Sequence, residues 1–78
     1  MKAIKTKYLP ATDRRGSRIK ASDSDGNSIT VSYDSRWDSY RNHELAALDL
    51  CIKMKWSGRL IGGEFKNDMY WVFVEGNA

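Results

Sequence analysis

The residue types best suited to nucleophilic or metal chemistry occur once each, as Cys51 and His43. Both fall in one predicted helix, where eight positions separate them by about 12 Å, beyond hydrogen-bond reach. One thiol and one imidazole are too few ligands for a structural zinc site. Cys51 also lies among apolar residues, where a thiol is normally inert. We therefore expect no metal, no cofactor and no nucleophilic catalysis, and interpret the pair as a core cysteine and a histidine near the helix start.

Other catalytic patterns have simpler explanations. Asp23, Asp25, Asp34 and Asp38 occupy predicted turns or helix caps, where aspartate is favoured for local hydrogen bonding. The glycines of segment 58–63 lack the Gly-Lys-Ser/Thr ending of a phosphate-binding loop. The sequence therefore predicts a protein that is not an enzyme.

Basic residues are concentrated at the beginning of the chain. The first twenty positions carry one acidic residue, Asp13, and seven basic ones: Lys2, Lys5, Lys7, Arg14, Arg15, Arg18 and Lys20. Their charge is +6, and the remaining positions carry −3, for a net charge of +3. A small chain divided in this way has a cationic side, which favours an anionic partner, either nucleic acid or an acidic protein surface.

The spacing of these cations predicts a partner-binding basic face. In two predicted strands the basic residues alternate onto one side of the sheet, and a loop extends the same surface. The predicted set is Lys5, Lys7, Arg14, Arg15, Arg18 and Lys20. Basic side chains beside exposed aromatics are how sheets hold single-stranded nucleic acid, although the sequence shows no aromatic pair typical of RNA-recognition sheets. The alternative is a solvated surface that keeps strands from aggregating.

A second candidate surface surrounds the predicted start of the helix. It consists of Arg36, Trp37, Tyr40 and Arg41. Trp, Tyr and Arg are the residue types enriched in binding hot spots, so this group predicts a protein-binding edge. The alternative is that Trp37 closes the core of a small domain.

Alternating apolar residues predict five strands, and a long apolar-rich segment predicts one helix. The predicted strands are Ala3 to Leu9, Ser17 to Ser22, Ser28 to Tyr33, Arg59 to Phe65 and Met69 to Glu75. The helix is predicted to begin between Ser39 and His43 and to run to about Trp56, with Ser57-Gly58 as its stop. The order β-β-β-α-β-β indicates an α+β fold, in which one helix packs on one face of an antiparallel sheet of about five strands.

The same alternation assigns residues to the two faces of the sheet. We expect the helix to share the core with Ile19, Ala21, Ile29, Val31, Tyr33 and Val72. We expect the other face to carry the strand lysines and arginine with Thr30 and Ser32, and Trp71 or Phe73 are candidates for the same face. A bulge is expected at Gly62-Gly63. Only Asn42, Asp49 and Lys53 form a clearly polar helix stripe, so the helix is either embraced by the sheet and the Trp37 loop or has an interface on one flank, which leaves a homodimer open.

Length and composition indicate the number of domains and the cellular compartment. Seventy-eight residues predict one domain spanning 1–78. The single cysteine favours a reducing compartment, and no apolar run has the length of a signal peptide or membrane span. We therefore expect a cytoplasmic protein that does not contact membrane.

Several stretches together resemble a group of short, mostly uncharacterised proteins carried by proteobacterial plasmids, prophages and integrative elements. They are Thr6 to Thr12, Gly16 to Ala21, Ile29 to Asp34, Asn42-His43, Ala46-Ala47, Trp56 to Leu60 and Val72 to Gly76. Small proteins of mobile elements often resemble anti-defence factors such as anti-CRISPR proteins, which act without catalysis. The resemblance implies a binding protein that inhibits a host defence complex, such as a CRISPR–Cas effector, by occupying its surface. The cationic N-terminal part departs from acidic, DNA-mimicking inhibitors.

Two other functions remain open from the residues alone. The charge division favours a nucleic-acid-binding accessory protein that uses the basic sheet face. The wide apolar arc of the helix favours a self-associating module.

Overall fold

The computed structural model describes residues 3–74, which form one antiparallel five-stranded sheet and one helix. The elements in chain order are β1 (Ala3–Leu9), β2 (Arg18–Ser22), β3 (Ser28–Ser32), α1 (Ser39–Met54), β4 (Arg59–Phe65) and β5 (Asp68–Val74). The strands lie in the order β3-β2-β1-β5-β4, and α1 packs against β1, β2 and β3. The predicted fold class and element order are confirmed. Glu75, the last residue of the fifth predicted strand, lies outside the described residues.

The helix divides the sheet into a covered face and an open face. On β1, Ile4 and Thr6 are buried on the covered face, whereas Lys5 and Lys7 alternate onto the open face. The register aligns Ile19 of β2 with Val31 of β3, so the covered face continues across the first three strands. The core consists of Ile4, Ile19, Ala21, Ala46, Ala47, Leu50, Cys51, Met69 and Trp71, with Ile29, Val31, Tyr33, Met54, Trp56, Leu60 and Phe73 packed against it.

The predicted faces of β5 are wrong. Trp71 lies opposite Ile4 and is fully buried, whereas Val72 lies opposite Ala3 on the open face. Phe73 packs against the core on the covered side. Because β5 is apolar at nearly every position, its sequence contains no alternation from which its faces could be read. Pairing with β1, whose pattern is clear, sets the register.

Gly62 makes room for the Trp71 indole. A Cβ at Gly62 would lie 2.5 Å from Trp71 Cε3, closer than two carbon atoms can approach. The predicted bulge is absent, because β4 pairs with β5 residue by residue from Arg59–Val74 to Phe65–Asp68. Gly62 is therefore required by packing against the indole, and not by a break in the strand.

The helix begins where the sequence indicates and ends earlier. Asp38 is the N-cap, and its carboxylate accepts a hydrogen bond from Arg41 N–H at 2.8 Å. Lys55, not Gly58, provides the left-handed stop, with φ of 60°. The Lys55 and Trp56 N–H groups donate to the carbonyls of Ile52 and Cys51, which closes the last turn.

Asn42 is buried, contrary to the predicted polar stripe. Its Oδ1 accepts a hydrogen bond from Asp34 N–H at 2.8 Å. Its Nδ2 lies within 3.1 Å of the carbonyl oxygens of Asp34, Trp37 and Asp38. These hydrogen bonds hold the connection between β3 and α1 against the helix, and so position the helix entrance.

The helix does not bury its whole apolar arc. Leu48 and Ile52 remain exposed on its outer side. Aromatic side chains from both helix ends reach β5 instead: Tyr40 lies 5.4 Å from the Trp71 ring and Trp56 lies 6.2 Å from the Phe73 ring. Within residues 3–74 no helix is both long and apolar enough to cross a membrane.

Candidate functional site

The open face brings four of the predicted basic residues together. Lys5 and Lys7 of β1 lie beside Arg18 and Lys20 of β2. Lys7 and Lys20 are directly opposite each other, an arrangement in which like charges repel and reduce stability. We call these four residues the cationic strip.

Little in the described part of the chain neutralises the cationic strip. Lys5 Nζ lies 3.5 Å from the Asp68 carboxylate. The Arg18 guanidinium donates to the Gly16 carbonyl oxygen, which is uncharged. Across residues 3–74, Lys7, Arg18 and Lys20 have no ion pair. The strip therefore presents net positive charge to solvent.

An exposed aromatic pair, which the sequence analysis missed, lies on the same open face. Tyr70 of β5 pairs with Lys5 of β1, so it adjoins the strip. The Phe65 and Tyr70 rings contact each other with centroids 6.4 Å apart, and the two residues are 61% and 38% exposed. The turn at 66–67 could have indicated this pair, because it places Phe65 opposite Asp68 and therefore diagonal to Tyr70.

Arg14 and Arg15 lie in the loop that joins β1 to β2. Both backbone N–H groups point to Thr12 Oγ1, at 3.4 and 3.1 Å, and Thr12 N–H donates to the Arg15 carbonyl oxygen. The loop connects Leu9 to Arg18, which are opposite each other in the sheet. Both arginines are exposed and lie at the end of the cationic strip.

At the helix entrance the cations are paired. The Arg36 guanidinium binds the Asp34 carboxylate at 2.8 to 3.2 Å, which lowers the pKa of Asp34 and raises that of Arg36. Arg41 Nη1 donates to Glu44 at 2.6 Å, and its guanidinium lies 6.0 Å from the Trp37 ring. Trp37 does not close the core, since it is 47% exposed. This group presents aromatic surface with little net charge.

A cleft of about 800 Å³ lies between the helix start and the β4–β5 hairpin. Lys7, from the predicted basic face, and Tyr40, from the predicted helix entrance, both line it. The other lining residues are Tyr8, Ser39, His43, Gly62, Glu64, Asn67, Asp68 and Met69. The two predicted surfaces therefore lie on different sides of the sheet and meet at this cleft.

The cleft contains a fixed histidine. His43 Nδ1 lies 2.7 Å from Thr6 Oγ1, and that oxygen accepts a hydrogen bond from Trp71 Nε1 at 3.0 Å. The other acceptor for the Thr6 hydroxyl proton, the Met69 carbonyl oxygen, is 3.5 Å away. The direction of the Thr6–His43 bond depends on which ring nitrogen carries the proton. Burial lowers the pKa of His43, partly opposed by Asp68 and Glu64, so the ring is neutral at pH 7.

Cys51 lies deep in the core, on the helix side facing the sheet. It is a free thiol, and burial raises its pKa. In the part of the chain that the structure describes, no group of three or more His, Cys, Asp or Glu residues is arranged to hold a metal ion.

Comparisons with known proteins identify no relative, since no protein-family model, curated protein or solved structure matches this chain.

Proposed function

We propose that this chain is a non-enzymatic protein that binds single-stranded nucleic acid on the open face of its sheet. The observation that carries the proposal is the position of the cationic strip beside the exposed Phe65–Tyr70 pair. Of the functions expected from the sequence, this one accounts for the largest number of described side chains on one surface.

The cationic strip provides the attraction to phosphate. Lys7 and Lys20 face each other across neighbouring strands at the cost of mutual repulsion. A polyanion laid across the strip would relieve that repulsion and release its own counterions. Arg14 and Arg15 in the adjoining loop extend the positive surface beyond the sheet end.

The aromatic pair provides surfaces for bases. Stacking on an exposed ring contributes about 1–3 kcal/mol per base and tolerates any base, because every base has a π face. Tyr70 adjoins Lys5 across the β1–β5 pairing, so a strand whose phosphates contact the strip has its bases within reach of the rings. Ile61, exposed on the same face of β4, extends the apolar surface beside these rings.

Fluorescence anisotropy with a labelled oligo(dT) over a range of salt concentrations tests this function. The double variant Lys7→Gln/Lys20→Gln removes two charges from the strip. Its affinity is expected to fall at least tenfold at low salt, and the slope of log K against log salt should decrease by about 0.7 per lost phosphate contact.

The matched control is Lys53→Gln/Lys55→Gln, which removes the same charge near the helix C-terminus. It should bind almost as the unmodified protein does. Equal losses in the two double variants would show that net charge alone matters, and would contradict a site on the open face.

The helix entrance supports a second candidate function, the inhibition of a host defence complex implied by the mobile-element resemblance. Trp37 and Tyr40 are 47% and 51% exposed, and their neighbouring cations are already paired. An aromatic surface of low net charge suits a protein partner better than phosphate.

The second candidate predicts inhibition of target-DNA binding by a purified CRISPR–Cas effector complex. Trp37→Ala should abolish the inhibition, whereas Lys7→Gln/Lys20→Gln should retain it. No inhibition by the unmodified protein would contradict this second function. Inhibition that is lost in Lys7→Gln/Lys20→Gln would show that the open face, and not the helix entrance, contacts the complex.

A further inference from the structure

The outer edge of β4 has no neighbouring strand within residues 3–74. The turn at 66–67 closes on Phe65 and Asp68, and a two-residue turn closes on a hydrogen-bonded pair. Hydrogen-bonded and non-hydrogen-bonded pairs then alternate along the antiparallel ladder. The backbone N–H and C=O groups of Leu60, Gly62 and Glu64 therefore point away from β5, along the free edge.

The opposite edge of the sheet, formed by β3, is obstructed. Lys53 reaches over from the helix, and its Nζ donates to the Ser28 carbonyl oxygen at 2.8 Å. A lysine placed over an edge strand is a common device against pairing with another chain. The helix itself packs against β1, β2 and β3, so it lies on the side of the sheet away from β4. Among the described residues, β4 is therefore the edge open to a further strand.

β4 also lacks most features that protect an edge strand. It is seven residues long, pairs without a bulge and contains neither lysine nor proline, and its two charges, Arg59 and Glu64, are of opposite sign. Ile61 and Phe65 lie on its open face and are 58% and 61% exposed. Between them, the space above Gly63 is empty to at least 4 Å. The strand thus presents two separated apolar side chains beside its free backbone groups.

We infer that two copies of this chain form a dimer by antiparallel pairing of β4 with β4, about a two-fold axis at Gly63. In this register Ile61 of each copy lies opposite Phe65 of the other, and aliphatic–aromatic pairs of this kind stabilise a sheet. The outward N–H and C=O groups of Gly62 and Glu64 exchange hydrogen bonds with those of Glu64 and Gly62 in the second copy.

This contact closes on itself. The same edge is used in both copies and the β3 edge is obstructed, so the assembly stops at a dimer and does not grow into a fibre. The axis is perpendicular to the sheet, which leaves both open faces on the same side of one continuous sheet. The inference does not depend on the nucleic-acid function, because β4 makes the contact without any ligand.

Sedimentation velocity of the full chain over a range of concentrations tests the dimer. One strand pair buries less than about 1,200 Å², so a dissociation constant on the order of 10 µM is expected. Glu64→Pro removes an outward N–H and should weaken the dimer at least tenfold, while the ladder with β5 stays intact. The matched control Glu64→Ala removes the same carboxylate but keeps the N–H, and should dimerise as the unmodified chain does.

A cysteine at the axis tests the register independently of the proline variant. The Cα atoms of a non-hydrogen-bonded pair are about 4.5 Å apart, within the range that a disulfide spans. Gly63→Cys should therefore form a disulfide-linked dimer under mild oxidation. Thr30→Cys, on the exposed face of the obstructed β3 edge, should remain monomeric on a non-reducing gel.

The outcomes decide the inference whether or not Glu64→Pro folds. A protein that stays monomeric up to about 500 µM, fifty times the expected constant, would overturn it. A dimer that shows no preference for the Gly63→Cys cross-link over Thr30→Cys would place the contact elsewhere, and would overturn it too. Binding of oligo(dT) by a monomeric protein would leave the nucleic-acid function standing while the dimer fails.

Discussion

At the scale of single residues, the Thr6 hydroxyl organises the covered face. Its oxygen accepts a hydrogen bond from the Trp71 indole and forms another with His43 Nδ1, so two large side chains from different elements are fixed by one oxygen atom. A buried polar group without a partner would cost several kcal/mol, and here each member satisfies another. Burial lowers the pKa of His43, whose Nδ1 is held by the hydrogen bond to Thr6.

The neutral state of His43 predicts a pH dependence of stability. Because burial lowers the pKa of His43 below its ordinary value of about 6.5, the unfolded chain takes up the proton first as the pH falls. The free energy of unfolding should therefore be fully retained above about pH 7 and should decrease below pH 6.5, by at most about 1.4 kcal/mol per pH unit. Urea unfolding between about pH 7.5 and pH 5.5 measures it.

His43→Asn is the control for this dependence. The variant is less stable overall, but its unfolding free energy should change little over the same pH range. Parallel curves for both proteins would show that another group is responsible.

Gly62 predicts a large difference between two neighbouring substitutions. Gly62→Ala places a methyl group against the Trp71 ring and should lower the free energy of unfolding by about 1–3 kcal/mol. Gly63→Ala faces open space and should change it by less than about 0.5 kcal/mol. Thermal or urea unfolding of the pair measures this, and equal effects would contradict the packing of Trp71 beneath Gly62.

At the scale of elements, the faces of a strand can be predicted where polar and apolar residues alternate, and cannot be predicted where they do not. β1, β2 and β3 have polar residues at every second position, so their faces and most of their ends are predictable. β5 is apolar at nearly every position after Asp68, and its faces depend on pairing with β1, which is why Trp71 and Val72 are exchanged relative to expectation. The cationic strip is predictable, because its four residues follow from the alternation within β1 and β2. The Phe65–Tyr70 pair and the cleft depend on hairpin register and helix placement, which no single segment encodes.

The end of the helix offers a prediction of its own. Lys55 occupies the left-handed region, which is costly for a residue with a Cβ and free for glycine. Lys55→Gly should therefore raise the free energy of unfolding by roughly 0.5–1 kcal/mol. Lys53→Gly, two residues earlier inside the helix, should lower it by about 1 kcal/mol. If Lys55→Gly is destabilising in urea melts, the stop does not lie at Lys55.

At the scale of the whole molecule, the helix covers one face of the sheet and leaves the other exposed. One face of the sheet is committed to the helix and the Thr6 network. The other carries the cationic strip on one half and exposed aromatics on the other. The cleft at the sheet end joins this open face to the helix entrance. The proposed function assigns this exposed face to a nucleic-acid strand, with its phosphates at the cationic strip and its bases at the Phe65 and Tyr70 rings.

The most direct test of this arrangement is a backbone amide NMR titration of the protein with unlabelled oligo(dT). The largest shift changes are expected at Lys5, Lys7, Lys20, Phe65 and Tyr70, while Leu48 and Ile52 on the outer helix surface should stay unchanged. Shifts confined to the helix surface, or to Trp37 and its neighbours, would contradict a nucleic-acid site on the open face.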